Sequence, residues 1–593
     1  MISCRSDLMA LKPQEWDLGE LLENSSQIKQ KQDEIESMVV QVESQKAILK
    51  SKPPADVIAS LLKSQEMIAQ EVSKLAGYAS LKTAAHTDDD AGRALSARFS
   101  QNEADIGNRL MFFTHWWKDV DEAYAKQIME SLPRFRQFLF EIRRAKPHIL
   151  TEPEEKIINL KDITGKEALI KQYDAQTSTY RFNLKVKGKN RSLIEQQMHG
   201  LITSPDAKMR TNAYQEYHRI FSAHQNELGD LYRSLVIDWK QDKVQLRKFT
   251  NPIGARNFGN DIPDDAIEKM IRVIRKRNEI FQDYFRLKAK MIGVKKMSRE
   301  HIYAPIHTKQ KCFPFDKGVK MVMDSYQRFS PKMRSLAMNV IDKHHLDSQV
   351  RPNKEGGAFC STPLPSLVPY VLQSYDSRWN DVSTLAHELG HAIHSQLAGD
   401  KSIFTAHAPL PLAETASIFG EILLEKGYLE TLKSQKDRTA LIAHRLDGLY
   451  AAITRQAYFV LFEQEAHKMI GSGSDTKDVS EMYLKNLKEQ FGKDMAVPDH
   501  FKFEWLRVSH FFHYPFYVYA YSFGNLLVLG LYKRYVEEGP SFVPKYLKLL
   551  SYGGSERPEK MLGEIGVDMH DTTFWDSGMD VVQGMVKELR REL

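Results

Sequence analysis

Residues 383–397 read STLAHELGHAIHSQL, an apolar run interrupted by His387, His391 and His394 and by one acid, Glu388. On a helix His387 and His391, four apart, share one face about one turn from each other. That spacing lets two imidazole nitrogens reach a single ion at about 2.0–2.1 Å. Glu388 is one step further round, close to such an ion yet not aimed at it, where it can hold the water that the ion polarises. Gly390 keeps the helix surface low and leaves room for a close neighbour. A His-Glu-x-x-His pattern arises by chance roughly once in twenty chains of this size. The third ligand therefore decides, because an open catalytic zinc site takes three protein ligands and a water.

His394 is the nearest candidate and does not fit. It lies three residues past His391 and slightly off the shared face. The three-histidine metalloprotease pattern wants Gly at 394 and His at 397, where this chain has His394 and Leu397. A thermolysin-like or aminopeptidase pattern wants Glu near 410, where this chain has Leu410, and Asp400 sits on the helix cap expected near Gly399. Glu414 remains, in HAPLPLAETASIFGEILLEKG. Pro409 and Pro411 stiffen the loop, a helix begins around Ala413, and Glu414 falls in its first turn with Glu421 two turns on along the same face. A second helix packed on the first could present Glu414 to the ion and let Glu421 fix a ligating imidazole by its other nitrogen. The residues alone leave a second reading open, in which both acids serve helix-start electrostatics and a surface salt bridge.

The elements that must position these groups read as helices. In IKQKQDEIESMVVQVESQKAIL, Ile28, Ile35, Met38, Val39, Val42 and Ile48 fall near a 3.6-residue period. A second helix follows PPADVIASLL, and HTDDDAG (86–92) is a solvated loop leading into another, its acids marking a turn and helix start. Residues 264–290 form one further helix after Pro263, with Ile267, Met270, Ile271 and Ile274 on one face. Strand signal is sparse, and its best case is GGAFCSTPL at 356–364. The chain is therefore predominantly helical with a minor sheet, and a soft division falls near residue 200. Neither a sustained coiled coil nor internal repeats are evident.

At 593 residues the chain exceeds one ordinary core, so two or more lobes are expected. Lys+Arg at 83 against Asp+Glu at 77 leaves +6, too small an excess to imply nucleic acid or an anionic membrane as partner. Three scattered cysteines, Cys4, Cys312 and Cys360, build no disulfide framework and indicate a reducing compartment. The first residues, with Asp7, Glu15, Asp17, Glu20 and Glu23, contain no apolar run of signal-sequence length. The uncharged stretch 514–532, YPFYVYAYSFGNLLVLGLY, has the length of a membrane span. Its tyrosines, Ser522, Asn525 and Pro515 favour instead a buried, partly polar helix.

HELGHAIH followed by AETASIFGE resembles the metal motif of the thimet oligopeptidase and oligoendopeptidase F superfamily of zinc peptidases, nearest to oligoendopeptidase F. KEGGAFCSTPL is similar to that superfamily's glycine-rich hairpin, SHFFHYPFYVYAYSFG to its C-terminal His/Tyr segment, and GGSERPEKMLGEIGVDM to its closing helical region. ARNFGNDIP and EWDLGELL extend the likeness from about residue 15 to the C-terminus. The resemblance implies a two-lobed helical zincin-type metallopeptidase with a small sheet beside the active site and a deep central channel. An N-terminal helical lobe would span 1–200 and the catalytic domain 201–593. It implies one zinc ion held by His387, His391 and Glu414, Glu388 as general base, and substrate backbone bound through Gly357 and Ala358. His510, Tyr514, Tyr517 and Tyr521 recur at i, i+4, i+7 and i+11, one helical face. By the resemblance, His510 and Tyr517 or Tyr521 would donate to the oxyanion and Tyr514 would contact substrate, although Tyr519 matches under a one-residue shift and Pro515 disturbs the helix.

The expectation is thus a cytoplasmic zinc endopeptidase of short oligopeptides, with no nucleic-acid, membrane or obligate protein partner. Two other classes compete. A peptide-binding relative without catalysis would need neither Glu388 nor His510, and a helical interaction protein with an incidental His/Glu cluster would bind no zinc.

Overall fold

The computed structural model describes residues 11–306 and 311–593. Cys4 and Asp7 lie outside them. Close contacts divide the chain into two compact units, one of residues 1–146, 310–431 and 534–567, the other of 147–309, 432–533 and 568–593. Neither is a single stretch of chain, and residue 200 is not at an edge of either. The fold is predominantly α. Two small sheets accompany the helices among the described residues: the hairpin β1 (Phe182–Val186) and β2 (Lys189–Leu193) in the second unit, and β3 (Leu346–Asp347), β4 (Ala358–Ser361) and β5 (Tyr370–Gln373) in the first.

In the first unit, the expected amphipathic helices are Ile28–Ser44 and Ala55–Ala85, followed by Asp90–Leu110. Asp89 opens the last of these by accepting from the Gly92 N–H, the helix-start role read for the acidic triplet. Val39, Val42, Ile58, Leu61 and Leu62 pack with Trp117 and Leu139 into one core. A second, smaller core joins the N-terminal segment to the sheet: Trp16, Leu21, Leu81 and Ala85 bury against Tyr370 and Leu372 of β5. The sheet has the order β3-β5-β4, with β3 parallel and β4 antiparallel to β5. β4, the expected strand of the glycine-rich segment, is therefore an edge.

In the second unit the single helix expected over 264–290 is two, Asp264–Lys276 and Glu279–Met291. The break serves Asn278. Its buried amide donates to the Gln490 carbonyl at 2.6 Å, a partner far away in sequence that no local periodicity announces. The uncharged stretch 514–532 is not one helix either: 514–518 is a turn and a helix runs from Tyr519 to Glu538. No helix among the described residues is long and apolar enough to cross a membrane.

Candidate active site

The histidine helix runs Trp379–Leu397. Asp381 starts it by accepting from the Asp376 and Arg378 N–H groups, each at 2.8 Å. Leu385, Ala386, Leu389, Ala392 and Ile393 are fully buried, while His387 and His391 keep about a quarter of their side-chain surface. Packing of the apolar stripe against β4, β5 and the helix Thr415–Thr431 thus turns the two imidazoles toward open space. Two glycines allow the close approach of the helices. A Cβ on Gly390 would lie 2.6 Å from the Ala416 carbonyl oxygen and the Ser417 Cα, and one on Gly420 would lie 3.0 Å from the Ala386 oxygen. Buried Tyr326 donates its hydroxyl to that same Ala386 oxygen, and Tyr546 donates to the Thr415 oxygen at 3.0 Å.

Glu414 sits at the joint between a single turn, Leu410–Ala413, and the helix Thr415–Thr431. Its carbonyl accepts the first helical bond, from the Ile418 N–H, and the Ser417 hydroxyl donates to its Oε2 at 2.6 Å. That same Oε2 is 3.3 Å from His387 Nε2 and 3.3 Å from His391 Nε2, and the two nitrogens are 3.2 Å apart. Tetrahedral ligands at about 2.0–2.1 Å from a common ion are separated by roughly 3.3–3.4 Å. The three donors therefore outline one face of such a tetrahedron, and His387, His391 and Glu414 are the set among the described residues whose ligand atoms converge. Two nitrogens and one carboxylate oxygen suit zinc. On the far side of the ring, His387 Nδ1 lies 2.5 Å from Glu421 Oε1, which orients the ring so that Nε2 faces Glu414.

The electrostatics follow from this crowding. Burial lowers the His387 pKa, but Glu414 and Glu421 overcome it and carry it up to about 10. Burial raises the Glu414 carboxyl, yet hydrogen bonds with His387 and His391 hold it far below the ordinary range. A proton and a divalent cation compete for the same imidazole nitrogens. Glu388 is only 6% exposed, and desolvation raises its pKa despite the two imidazoles that pull it down. Around these groups lies a pocket of about 400 Å³, lined among others by Ala358, Cys360, Glu388, His407 and Glu414. His394, already set aside as a ligand, is buried, and desolvation drops its pKa to about 4, so it is neutral.

Gly357 has φ of +87°, a backbone conformation that needs glycine, and it leads into β4 at Ala358. Behind it the buried Lys354 ammonium donates to the Asp347 and Gln373 carbonyls and pairs with the Asp347 carboxylate, tying the glycine segment to β3 and β5.

The second unit carries the His/Tyr segment, and here one expectation is corrected. His510, Tyr514, Tyr517 and Tyr521 do not share a face of one helix. A five-residue helix, Ser509–His513, ends before Pro515, whose ring disfavours α geometry in Tyr514 and cannot donate a helical hydrogen bond. Phe516 then takes φ of +57°, a left-handed conformation that costs an L-residue roughly 1–2 kcal/mol. The kink still gathers three of the four residues. The His510 ring lies 5.8 Å from that of Tyr517 and 6.0 Å from that of Tyr521, and Tyr521 Oη is 3.4 Å from His510 Nε2. Burial, then His513 and Arg455, lower the His510 pKa, so its imidazole is neutral near pH 7. Tyr514 stands 55% exposed with its ring beside Tyr517. Tyr519, the alternative match, is fully buried with its hydroxyl accepting from Asn260 at 2.7 Å.

Sequence reasoning missed Ser417, because the capping-box signal places Ser or Thr three residues before the acid and ETAS has the reverse order. It also missed Tyr326, for which no local signal exists.

Comparison with known proteins agrees with the geometry. The family model described as "Peptidase family M3" matches residues 324–581, and "Oligopeptidase F" matches 116–182. The family match and the oligoendopeptidase F relatives support a metallo-endopeptidase. The chain is thus similar to peptidase family M3 over its C-terminal part and to oligoendopeptidase F relatives over nearly its whole length. It is 23% identical over 584 residues to an oligoendopeptidase F homolog of Lactococcus lactis subsp. lactis, covering 94% of this chain and 95% of that one. A crystal structure from Chlamydophila abortus has the same fold, with a TM-score of 0.88 at 22% identity over 99% of both chains. An oligoendopeptidase-F from Enterococcus faecium follows at 0.70 and 19%, over 95% of this chain and 99% of that one.

Proposed function

We propose that the protein is a zinc endopeptidase of short oligopeptides in which Glu388 moves the proton. The observation that carries this reading is the triangle of His387 Nε2, His391 Nε2 and Glu414 Oε2, whose sides of 3.2–3.3 Å suit one small tetrahedral ion. When bound there, zinc supplies Lewis acidity, making a water nucleophilic near neutral pH and polarising the scissile carbonyl.

The chain's own residues do the rest. Glu388, poised by desolvation to hold a proton, takes one from the attacking water as oxygen bonds to the carbonyl carbon. It then delivers that proton to the amine nitrogen as the C–N bond breaks. β4, as an edge strand, has backbone groups on one side available to an extended peptide, which Gly357 and Ala358 would engage. His510, Tyr517 and Tyr521 take the role that the resemblance implies, donation to the developing oxyanion, with Tyr514 as a substrate contact. The cysteines Cys312 and Cys360, free among the described residues, suit a reducing compartment such as the cytoplasm.

Glu388→Gln tests the central step. It is expected to keep near-stoichiometric zinc by elemental analysis and to lose cleavage of a quenched peptide library. Turnover at the parental rate would remove Glu388 from the mechanism. Mass-spectrometric mapping of cuts in a defined peptide mixture tests the substrate class, with internal cuts in short peptides expected.

A further inference from the structure

The peptide plane between Pro515 and Phe516 is gripped at both edges by side chains from elsewhere in the second unit. Its carbonyl oxygen accepts from Arg256 Nε at 3.1 Å. Its N–H donates to Glu463 Oε1 at 2.8 Å. Glu463 is 1% exposed, and its second carboxylate oxygen is buried without a hydrogen-bond partner. The Phe516 ring is fully buried, 4.6 Å from His467, and the Asn260 bond to Tyr519 closes the far end of the turn.

A buried carboxyl group is an extravagant way to satisfy one amide, since a carbonyl oxygen would serve. What Arg256 adds is polarity, because its guanidinium can only donate. Rotation of the plane would set the Phe516 N–H against the Arg256 donor and take that N–H away from its Glu463 acceptor. The orientation that satisfies both side chains sets ψ of Pro515 and the left-handed φ of Phe516. That φ decides where the next residue, Tyr517, leaves the turn, and Tyr517 emerges beside His510 and Tyr521.

We infer that Arg256 and Glu463 are positioning residues for the oxyanion donors, acting by locking the Pro515–Phe516 peptide plane in one orientation. The inference rests on the reading of His510, Tyr517 and Tyr521 as those donors.

The test compares Glu463→Gln, which keeps an acceptor for the Phe516 N–H, with Glu463→Leu, which fills similar space without one. The glutamine variant is expected to stay within a few-fold of the parent in kcat. The leucine variant should lose about 10- to 100-fold in kcat with KM nearly unchanged, the signature of misplaced groups rather than of lost substrate binding. Its affinity for a phosphinic peptide, which mimics the tetrahedral state, should fall by a similar factor. Arg256→Met releases the other edge of the plane from a less buried position, and carries the test if Glu463→Leu does not fold. Zinc content should be unchanged in all three. Parental kcat in Glu463→Leu or, where that does not fold, in Arg256→Met, or a loss confined to KM, overturns the inference. Tyr517→Phe and Tyr521→Phe separate this from the underlying reading: parental kcat in both refutes the oxyanion assignment itself, whereas a loss there beside unaffected clamp variants refutes only the clamp.

Discussion

The candidate metal triad and the tyrosine turn are built on opposite principles. In the first unit, regular helices do all the positioning. His387 and His391 are set by helical repeat, Glu414 by the start of the next helix, and the two helices are brought together at Gly390 and Gly420. In the second unit the helix is broken at Pro515, a bulky residue adopts a left-handed φ, and buried polar side chains hold the turn in place. Regular geometry suits a cage that must match one ion to within tenths of an ångström. Irregular backbone suits groups that must be aimed where no helix face points.

The comparison breaks first at the cage. Glu414→Ala is expected to lose zinc and to drop peptide cleavage to background, while the far-ultraviolet dichroism stays helical; retained zinc in that variant would mean the ion is held elsewhere. Tyr521→Phe should leave zinc unchanged and lower kcat by about 10²–10³, the usual cost of one oxyanion donor, in steady-state assays. Glu421→Gln exchanges the acceptor on His387 Nδ1 for an amide that can mis-set the tautomer, and competition with a chelating dye should report zinc binding weakened about 10- to 100-fold. Gly390→Ala forces a methyl against the backbone of Ala416 and Ser417, and should cost about 1–3 kcal/mol in denaturant unfolding, with weaker zinc binding alongside.

The smallest effect lies in the turn. Burial raises the Glu463 pKa from 4.5 to about 8, against the opposing Phe516 N–H and Arg256. The folded protein then keeps a proton that the unfolded chain has released, so this group's stabilising contribution is complete below about pH 4.5, declines as pH rises to about 8, and is flat above. Neighbouring His467 works in the other direction, since burial drops it to about 3 and stability from it grows with pH up to 6.5. The difference between parent and Glu463→Gln in melting temperature across pH 5–8 isolates the glutamate, and a constant offset would contradict the assignment.

What could be read from the sequence follows the same contrast. His387, Glu388, His391, Glu414 and Glu421 were legible as a constellation because their placement depends on helical repeat and on neighbours a few residues away. Gly390 was legible as a site of close approach, although the backbone that approaches it was not. The kink at Tyr514–Val518 was announced only as a disturbance by Pro515, because its shape depends on Arg256 and Glu463, which lie far off along the chain. The split at Arg277–Asn278 was hidden for the same reason. The hairpin β1–β2 was missed despite a local signal: Lys187 and Gly188, both at positive φ, form the two-residue turn that suits antiparallel strands.

The seating of the helix Thr415–Thr431 on Gly390 and Gly420 also has a use at the bench. The register between His391 and Glu414 is set by that contact and not by the length of the chain joining them. Extra residues spliced in at exposed Asp400, such as an epitope or a fluorophore-bearing peptide, should therefore be accommodated while the ligand cage keeps its dimensions.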